Sequence, residues 1–435
     1  MRVQREASGE TMSQETMPGD GPLSGYRVLE MGSTVAGPFC GRLLADFGAE
    51  VIKVEPAEGD PVRTMGKRFH GKSLYAASIF RNKSLVSVDL RRAEGQEIVR
   101  RLAAKCDVVV ENFRPGALEK WGLGYAELAR ANPGLVMVRI SGFGQTGPYS
   151  DRAGYGVIGE AVSGLRHITG DPDRPPSRVA VSITDYITGL YGAFGAVMAL
   201  LARAKTGRGQ YVDSALYECA FSFMEPHIPA FEKLGLVASR AGSRLPDSTP
   251  NNLYATRDGQ FIHVTAMGDA VFRRLVACMG APQLAEDPRF KDAVERSRHH
   301  EEIDDLIGRW TAGRDLTELE RALHEAGVPA TRIFTMADIF GDPHYAARGA
   351  IVRAADDDLG TVAMAAPVPR LSQTPGAIRH SGRRIGQDTR RVLTELLGLT
   401  PAELQRLEGA GVVACDRASP RAQAQPPVDE RAGAG

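Results

Sequence analysis

The sequence lacks most of the features that would place it quickly. It has no surplus of either charge, since 53 Lys and Arg stand against 53 Asp and Glu. Binding to nucleic acid wants an excess of cations, so nucleic acid is not expected as a partner, although a local basic patch for a small anion is not excluded. Cysteine is sparse: five residues, an odd number, lie far apart. No C-x-x-C pair and no Cys/His cluster occurs, which indicates neither a disulfide framework nor a zinc site. The turn after the first strand has no G-x-G-x-x-G spacing, and no P-loop follows, so the pattern gives dinucleotide or P-loop binding little support. The run SGFGQTG lacks the G-x-S-x-G spacing of a serine hydrolase. No histidine stands at a suggestive spacing from a Ser, Cys or carboxylate. The first 22 residues contain several acids and no apolar core. A secretory signal is therefore not expected, and a cytoplasmic location is.

One long apolar run is present, and it organises the chain. Between Val181 and Ala215 a turn carrying Asp185 leads into Tyr186–Arg203, which has almost no charge, then a Gly-rich stop and a strand. A helix apolar all round is buried in a core or spans a membrane. Gly189, Gly192, Ala193, Gly195 and Ala196 interrupt this one, and AKTGRGQYVD follows it. These features indicate a core helix, and no membrane is expected. Asp185 at its mouth has two readings. With Thr184 it could cap the helix, stabilising by ~1 kcal/mol. A carboxylate can also act as a covalent nucleophile toward an activated acyl group, and the helix dipole would favour its anion.

Elsewhere strand and helix patterns alternate. YRVLEM, VIKVE, SLVSVDL, DVVVE and Leu135–Ile140 read as strands with helical segments between them. This predicts an α/β fold with a mostly parallel sheet covered on both faces. Ligands on such sheets collect beyond the carboxyl ends of the strands. Those ends carry GSTVAGP, EPAEGDPVR, DLRR, ENFRPG and SGFGQTGP, rich in groups suited to backbone-close anion contacts. Gly154–Ile168 is predicted as a helix, and Ser214–Gly235 as an amphipathic helical region. SRAGSRLPDSTPNN reads as a linker into a second unit with a hairpin-like strand and several short helices.

The chain resembles the family III CoA-transferases (the CaiB/BaiF family), which include formyl-CoA, carnitine and succinyl-CoA-dependent transferases and, as a sister branch, 2-methylacyl-CoA racemase. The resemblance is carried by VAGPFCGRLLADFGAEVIKVEP, FRNKSLVSVDL, DVVVENFRPGALEKWGLGY, ISGFGQTGPY, ITDYITGLY and KTGRGQYVD. It implies a Rossmann-like large domain with an inserted smaller α+β domain, assembled as an interlocked homodimer. The expected bounds are 23–225 and 336–413 for the large CoA-binding domain and 226–335 for the small domain, with disordered tails at 1–22 and 414–435. The implied activity is transfer of CoA from a donor such as succinyl-CoA to a small dicarboxylic or hydroxy acid. No cofactor beyond CoA and no metal is implied. The alternatives are 2-methylacyl-CoA racemase or epimerase, and a catalytically silent CoA-binding protein.

By the same resemblance Asp185 is the nucleophile that carries covalent aspartyl intermediates. Val35 and Ala36 match the CoA-binding turn after the first strand, and Val88, Asp89, Leu90 and Arg91 the strand end near the adenine and ribose phosphate. Asn112, Phe113 and Arg114 match the next strand end, Lys120 a phosphate contact, and Arg152, Ala153, Gly154 and Tyr155 the segment beside the thioester. Arg91, Arg114, Lys120 and Arg152 would supply a positive field for the phosphates. The chain also departs from the family. Pro56 replaces an Arg of the formyl-CoA transferases, leaving Arg63 as a candidate substitute. Gly154-Tyr155-Gly156 stands where the racemases carry a His-Asp pair, and Glu160 replaces a common Gln. Arg240 and Arg244 in the linker are further candidates for a second substrate carboxylate.

Overall fold

A computed structural model describes residues 21–416. Apart from Gly21, Pro22 and Ala414–Asp416, the expected tails lie outside the described residues. The contacts divide the chain into two units. Among the described residues, one comprises 21–159, 182–219 and 351–416, and the other Glu160–Val181 and Ala220–Ala350. The second unit thus draws in residues 160–181 and runs on to Ala350, which differs from the bounds expected from sequence.

The first unit is built on strands β1 (Arg27–Glu30), β2 (Glu50–Glu55), β3 (Lys83–Val88), β4 (Val108–Glu111), β5 (Val136–Ser141), β6 (Tyr211–Ala215) and β7 (Val413–Ala414). They form one sheet in the order β7-β3-β2-β1-β4-β5-β6. All pairings are parallel except β7 against β3. The sheet is therefore α/β with Rossmann-type order, and its direction of winding reverses between β1 and β4. At such a reversal the loops diverge and leave a crevice at the carboxyl ends.

Helices α1 (Ala36–Asp46), α2 (Ala93–Ala103), α3 (Gly156–Val162), α4 (Ile183–Thr206), α5 (Thr389–Leu397) and α6 (Pro401–Gly409) were foreseen in outline. One face of the sheet packs on α1 and α4 through Cys40, Leu44, Ala193, Ala196 and Leu200. The other packs on α2, α5 and α6 through Ile98, Leu102, Leu393 and Leu404. Helix α3 is shorter than expected because Gly164, at φ +87°, takes the chain out of helical geometry. Likewise Ser214–Gly235 is not one helix. It splits into Leu216–Phe221 and His227–Leu234, with Pro226 at the second start.

Helix α4 departs from the expectation of burial all round. Its small residues face inward: a Cβ on Gly189 would lie 2.7 Å from the Ala36 carbonyl oxygen, and one on Gly195 2.5 Å from Val212 Cγ1. Its large residues face outward, with Leu190 56%, Phe194 58% and Leu201 55% exposed. The small residues set the close approach of the helix to α1 and the sheet, while the large ones form an apolar outer stripe.

The second unit has an antiparallel sheet of Asn251–Ala255, Phe261–Thr265 and Ala330–Arg332. Helices Asp269–Cys278, His300–Ala312 and Leu316–Glu325 cover it around Phe272, Phe290, Ile303 and Leu319.

Beneath the carboxyl ends of β1 and β2 lies a buried ionic cluster. Lys53 Nζ donates to the Gly32 carbonyl at 2.6 Å and pairs with Asp60 at 2.9 Å and Glu30 at 3.4 Å. Lys83 Nζ donates to Glu30 at 2.6 Å and to the Pro38 carbonyl at 2.7 Å. Burial would pull the Lys53 ammonium down, but Asp60, Glu30 and Glu55 outweigh it and hold it above its ordinary value. At Lys83 burial wins over Glu30, and the ammonium falls to about 8. Lys53→Met would leave Asp60 as an uncompensated buried charge, with Glu30 still paired to Lys83, an expected cost of about 3–5 kcal/mol. Chemical denaturation of the two proteins side by side measures it.

Candidate active site

Two adjoining cavities occupy the crevice at the strand ends, both within the first unit. The first, of about 290 Å³, is lined by Ser33–Ala36 after β1, Asn112–Pro115 after β4, Ser141 and Gly142 at the end of β5, Arg152–Tyr155, and Asp185. The second, of about 280 Å³, is lined by Val88–Arg91, Glu55, Pro56, Glu58 and Trp121. Ser33, Pro61 and Phe113 line both. The groove is thus shared, with Asp185 at one end and the β3 terminus at the other.

Asp185 and every residue matched to the CoA site by resemblance line one of the two cavities except Lys120, while Arg63, Arg240 and Arg244 line neither. Val35, Ala36, Asn112, Phe113, Arg114, Arg152, Ala153, Gly154, Tyr155 and Asp185 line the first, and Val88, Asp89, Leu90 and Arg91 the second. Lys120 ends the short helix Ala117–Lys120, is exposed, and lines neither. Its neighbour Trp121 is the residue that reaches the groove. Arg63 is not available as the substitute for Pro56. Its Nε–H and Nη2–H donate to Glu55 at 2.7 and 2.6 Å, and its Nη1–H to the Arg383 carbonyl at 3.2 Å.

The turn between β1 and α1 is fixed from three sides. Asn112 accepts the Ser33 N–H at 2.7 Å and donates to the Ser33 carbonyl at 2.9 Å. Lys53 holds the Gly32 carbonyl, and Asp60 accepts the Thr34 N–H at 3.0 Å. Thr34 adopts φ +67°, a left-handed conformation unfavourable for a branched side chain. The bond to Asp60 helps hold it there. Val35 then begins α1 without any side-chain cap. The first N–H groups of that helix therefore lack a capping partner where Val35 and Ala36 line the cavity, a position that favours negative charge.

Asp185 is not the N-cap of α4. Ser182 is, without a capping bond from its side chain, and Asp185 lies within the first turn. Its neighbour Tyr186 anchors that turn: the hydroxyl lies 2.8 Å from that of Tyr75, and the ring packs edge-on to Phe39 at 4.8 Å. The carboxylate rests directly on the backbone of Gly156, where a Cβ would come within 1.9 Å of Asp185 Oδ2. A second glycine contact holds the incoming segment, since a Cβ on Gly154 would lie 2.7 Å from the Gly142 Cα. Sequence reasoning noted Gly156 only as the absence of an acid. Its contact with Asp185 joins segments distant in sequence, which no local pattern reports.

On the opposite lip Glu111 accepts the Phe113 N–H at 2.8 Å and the Arg139 Nε–H at 2.9 Å. Arg139 also meets Glu119 at 2.9 Å. Burial pushes Glu111 up to about 7 against the pull of Arg139. Among the described residues, no group of three or more His, Cys, Asp or Glu is arranged to hold a metal ion.

The family model for CoA-transferase family III matches residues 23–389. The chain belongs to that family. It is 49% identical over 394 residues to the succinyl-CoA–D-citramalate CoA-transferase of Chloroflexus aurantiacus, covering 90% of this chain and 98% of that one. It is 36% identical over 397 residues to the human succinyl-CoA:glutarate CoA-transferase, covering 90% of each. The crystal structure of a CaiB/BaiF family protein from Brucella suis superposes with a TM-score of 0.77 at 35% identity, covering 87% of this chain and 100% of that one. The protein is a CoA-transferase of family III.

Two expectations follow from the site. Gly156→Ala would displace the Asp185 carboxylate, and if Asp185 is the reacting group expected from sequence, a shift of about 1 Å can cost about 100-fold in rate. CoA exchange should fall by about that factor, while CoA-thioester affinity, measured by calorimetry, changes little. For Glu111, a folded-state pKa raised from 4.5 to about 7 means that the native chain binds more protons than the unfolded chain between those values. Its contribution to stability is full below pH 4.5 and is lost as pH rises to 7. Melting temperature recorded across that window should lose this downward slope in Glu111→Gln.

Proposed function

We propose that the enzyme moves CoA from succinyl-CoA to a small dicarboxylic or hydroxy acid through covalent intermediates on Asp185. The observation that carries this reading is the Asp185 carboxylate at the acyl end of a groove whose other end is formed by the β3 terminus. The relatives named for succinyl-CoA-dependent transfer to citramalate and glutarate support the donor and the acceptor class.

In the first step an Asp185 oxygen attacks the thioester carbonyl carbon. The C–S bond breaks and CoA leaves as its thiolate, giving a succinyl–aspartyl anhydride. The thiolate then attacks the aspartyl carbonyl carbon and expels succinate, leaving an aspartyl-CoA thioester. The acceptor carboxylate attacks that thioester, again releasing the thiolate, which finally attacks the acceptor's carbonyl carbon and restores Asp185. Each step conserves charge, so the protein need not supply a proton. Its role is to place the carboxylate and stabilise the oxyanion of each tetrahedral intermediate. The uncapped start of α1 at Val35 and Ala36 suits that oxyanion. Arg91 and Arg114, with Asn112 and Phe113, are assigned to the CoA moiety.

The His-Asp pair that racemases use for proton exchange at the α-carbon is missing here, where Gly154-Tyr155-Gly156 stands instead. Any side chain at position 156 would overlap the Asp185 carboxylate. CoA and the two acids are the only ligands in this reading, with no metal, and the enzyme acts in the cytoplasm.

We assign the outer stripe of α4 to an interlocked homodimer. By length and composition α4 could cross a membrane, but its small face is already committed to the sheet. The stripe and a neighbouring groove of about 540 Å³, lined by Leu23, Leu43, Phe47, Phe194, Val368 and Leu371, form a contiguous apolar surface suited to a protein interface.

Mass spectrometry of the enzyme mixed with succinyl-CoA should detect an aspartyl-CoA adduct on the peptide containing Asp185. Asp185→Asn should show neither adduct nor exchange, and full turnover by that variant would defeat the covalent mechanism. Light scattering should report a dimer, and Phe194→Asp should weaken it.

A further inference from the structure

Resting on Asp185 as the acyl acceptor, we propose that Arg152 receives the second carboxylate of the dicarboxylic substrate, the one remote from the thioester. Two cationic side chains line the cavity around Asp185, Arg114 and Arg152. Arg114 follows Phe113, one of the three residues shared with the far cavity, and so belongs to the passage along which CoA would lie. Arg152 opens the segment that ends on Gly156, against which the Asp185 carboxylate rests. It is therefore the cation on the acyl side.

The guanidinium is held but not consumed. Its carbon lies 3.5 Å from the centre of the Tyr149 ring. Tyr149 is itself set edge-on to Phe143 at 5.8 Å. Stacking of this kind restrains the guanidinium plane and leaves its N–H edge open to a ligand. The Arg152 N–H to Tyr149 carbonyl bond, at 2.9 Å, and the contact between Gly142 and Gly154 fix the backbone on either side. Among the described residues no carboxylate pairs with Arg152, whereas Arg63, Arg81 and Arg139 are each matched with a buried acid. A planar fork with no acid partner suits two parallel N–H···O bonds to an incoming carboxylate.

Of the two linker arginines considered from sequence, Arg240 is occupied. Arg240 donates to the backbone carbonyls of Asp171, Pro172 and His167, at 3.0, 3.3 and 3.4 Å. Its hydrogen bonds hold the second unit's own loop.

A site built for a charged group rejects an analogue lacking that group, because its own donors are then left unpaired. Succinyl-CoA and butyryl-CoA have acyl chains of equal length and differ in the terminal carboxylate. Their affinities are measured by calorimetry in the Asp185→Asn background, where no thioester is consumed, with and without Arg152→Gln. The parent should bind succinyl-CoA at least about tenfold more tightly, and Arg152→Gln should erase that preference while leaving butyryl-CoA within about threefold. If Arg152→Gln does not fold, Arg152→Lys, which keeps the charge without the fork, serves the same comparison and should reduce the preference. The proposal is overturned if the parent shows no preference, if the preference survives substitution, or if both ligands weaken equally, which would assign Arg152 to the CoA moiety. Failure to find an aspartyl adduct in the unmodified enzyme would defeat the covalent reading without altering this result, because the titration reports binding alone.

Discussion

Lys53 is an ammonium group almost wholly removed from water, and the catalytic end of the sheet is arranged around the cost of keeping it charged. Desolvation of an ammonium costs several kcal/mol unless close acceptors replace the lost water. Here the acceptors come from two separate pieces of chain: Glu30 and Gly32, at the end of β1 and just after it, and Asp60 in the loop after β2. Each contact that stabilises the charge also ties one of those pieces in place. Asp60 passes the constraint on to the Thr34 N–H, and Thr34 lies on the wall of the cavity. Geometry at the substrate groove is therefore inherited from an electrostatic requirement one layer below it.

The wall itself is shaped more by missing atoms than by added ones. Gly41 leaves room for Glu30 to reach its lysines, since a Cβ there would lie 1.8 Å from Glu30 Oε2. Gly156 leaves room for the Asp185 carboxylate, and Gly142 and Gly154 let two loops meet backbone to backbone. At these places a methyl group would disturb function by position, with little change in chemistry. The same economy sets α4 close to the sheet through Gly189 and Gly195.

Much of this was legible in the sequence because it is periodic or local. The parallel strands were visible as apolar runs, and their polar ends named nearly all of the groove's lining. The stop after α4 was legible from KTGRGQ, and Gly207 does adopt φ +70° there. What escaped has a common physical cause, in that it depends on pairs distant along the chain. Lys53 in VIKVE resembles an ordinary strand charge until Asp60 and Glu30 are placed beside it. Asp185 resembled a cap because the true start of its helix, Ser182, lies only three residues away. The outer stripe of α4 was hidden because small and large apolar residues are equally hydrophobic to a composition argument, although they face opposite ways. Lys120 lies outside both cavities, on a short helix whose next residue, Trp121, lines the second.

The short strand β7 gives the protein a direction in time. Val413 and Ala414 pair with β3, and the Val412 carbonyl accepts the Asp89 N–H at 2.9 Å, beside the second cavity. Asp388 and Thr389 brace the same strand by accepting the Leu85 and Ser87 N–H groups, each at 2.9 Å. These partners of β3 lie near the opposite end of the sequence. On a ribosome most of the lining around Asp185 emerges long before the chain that closes the edge of β3. Until then β3 presents an open edge, able to recruit a foreign strand. The nascent protein can thus hold Asp185 before the far end of its groove is sealed, and the arrival of Val413 and Ala414 is the step that closes the sheet.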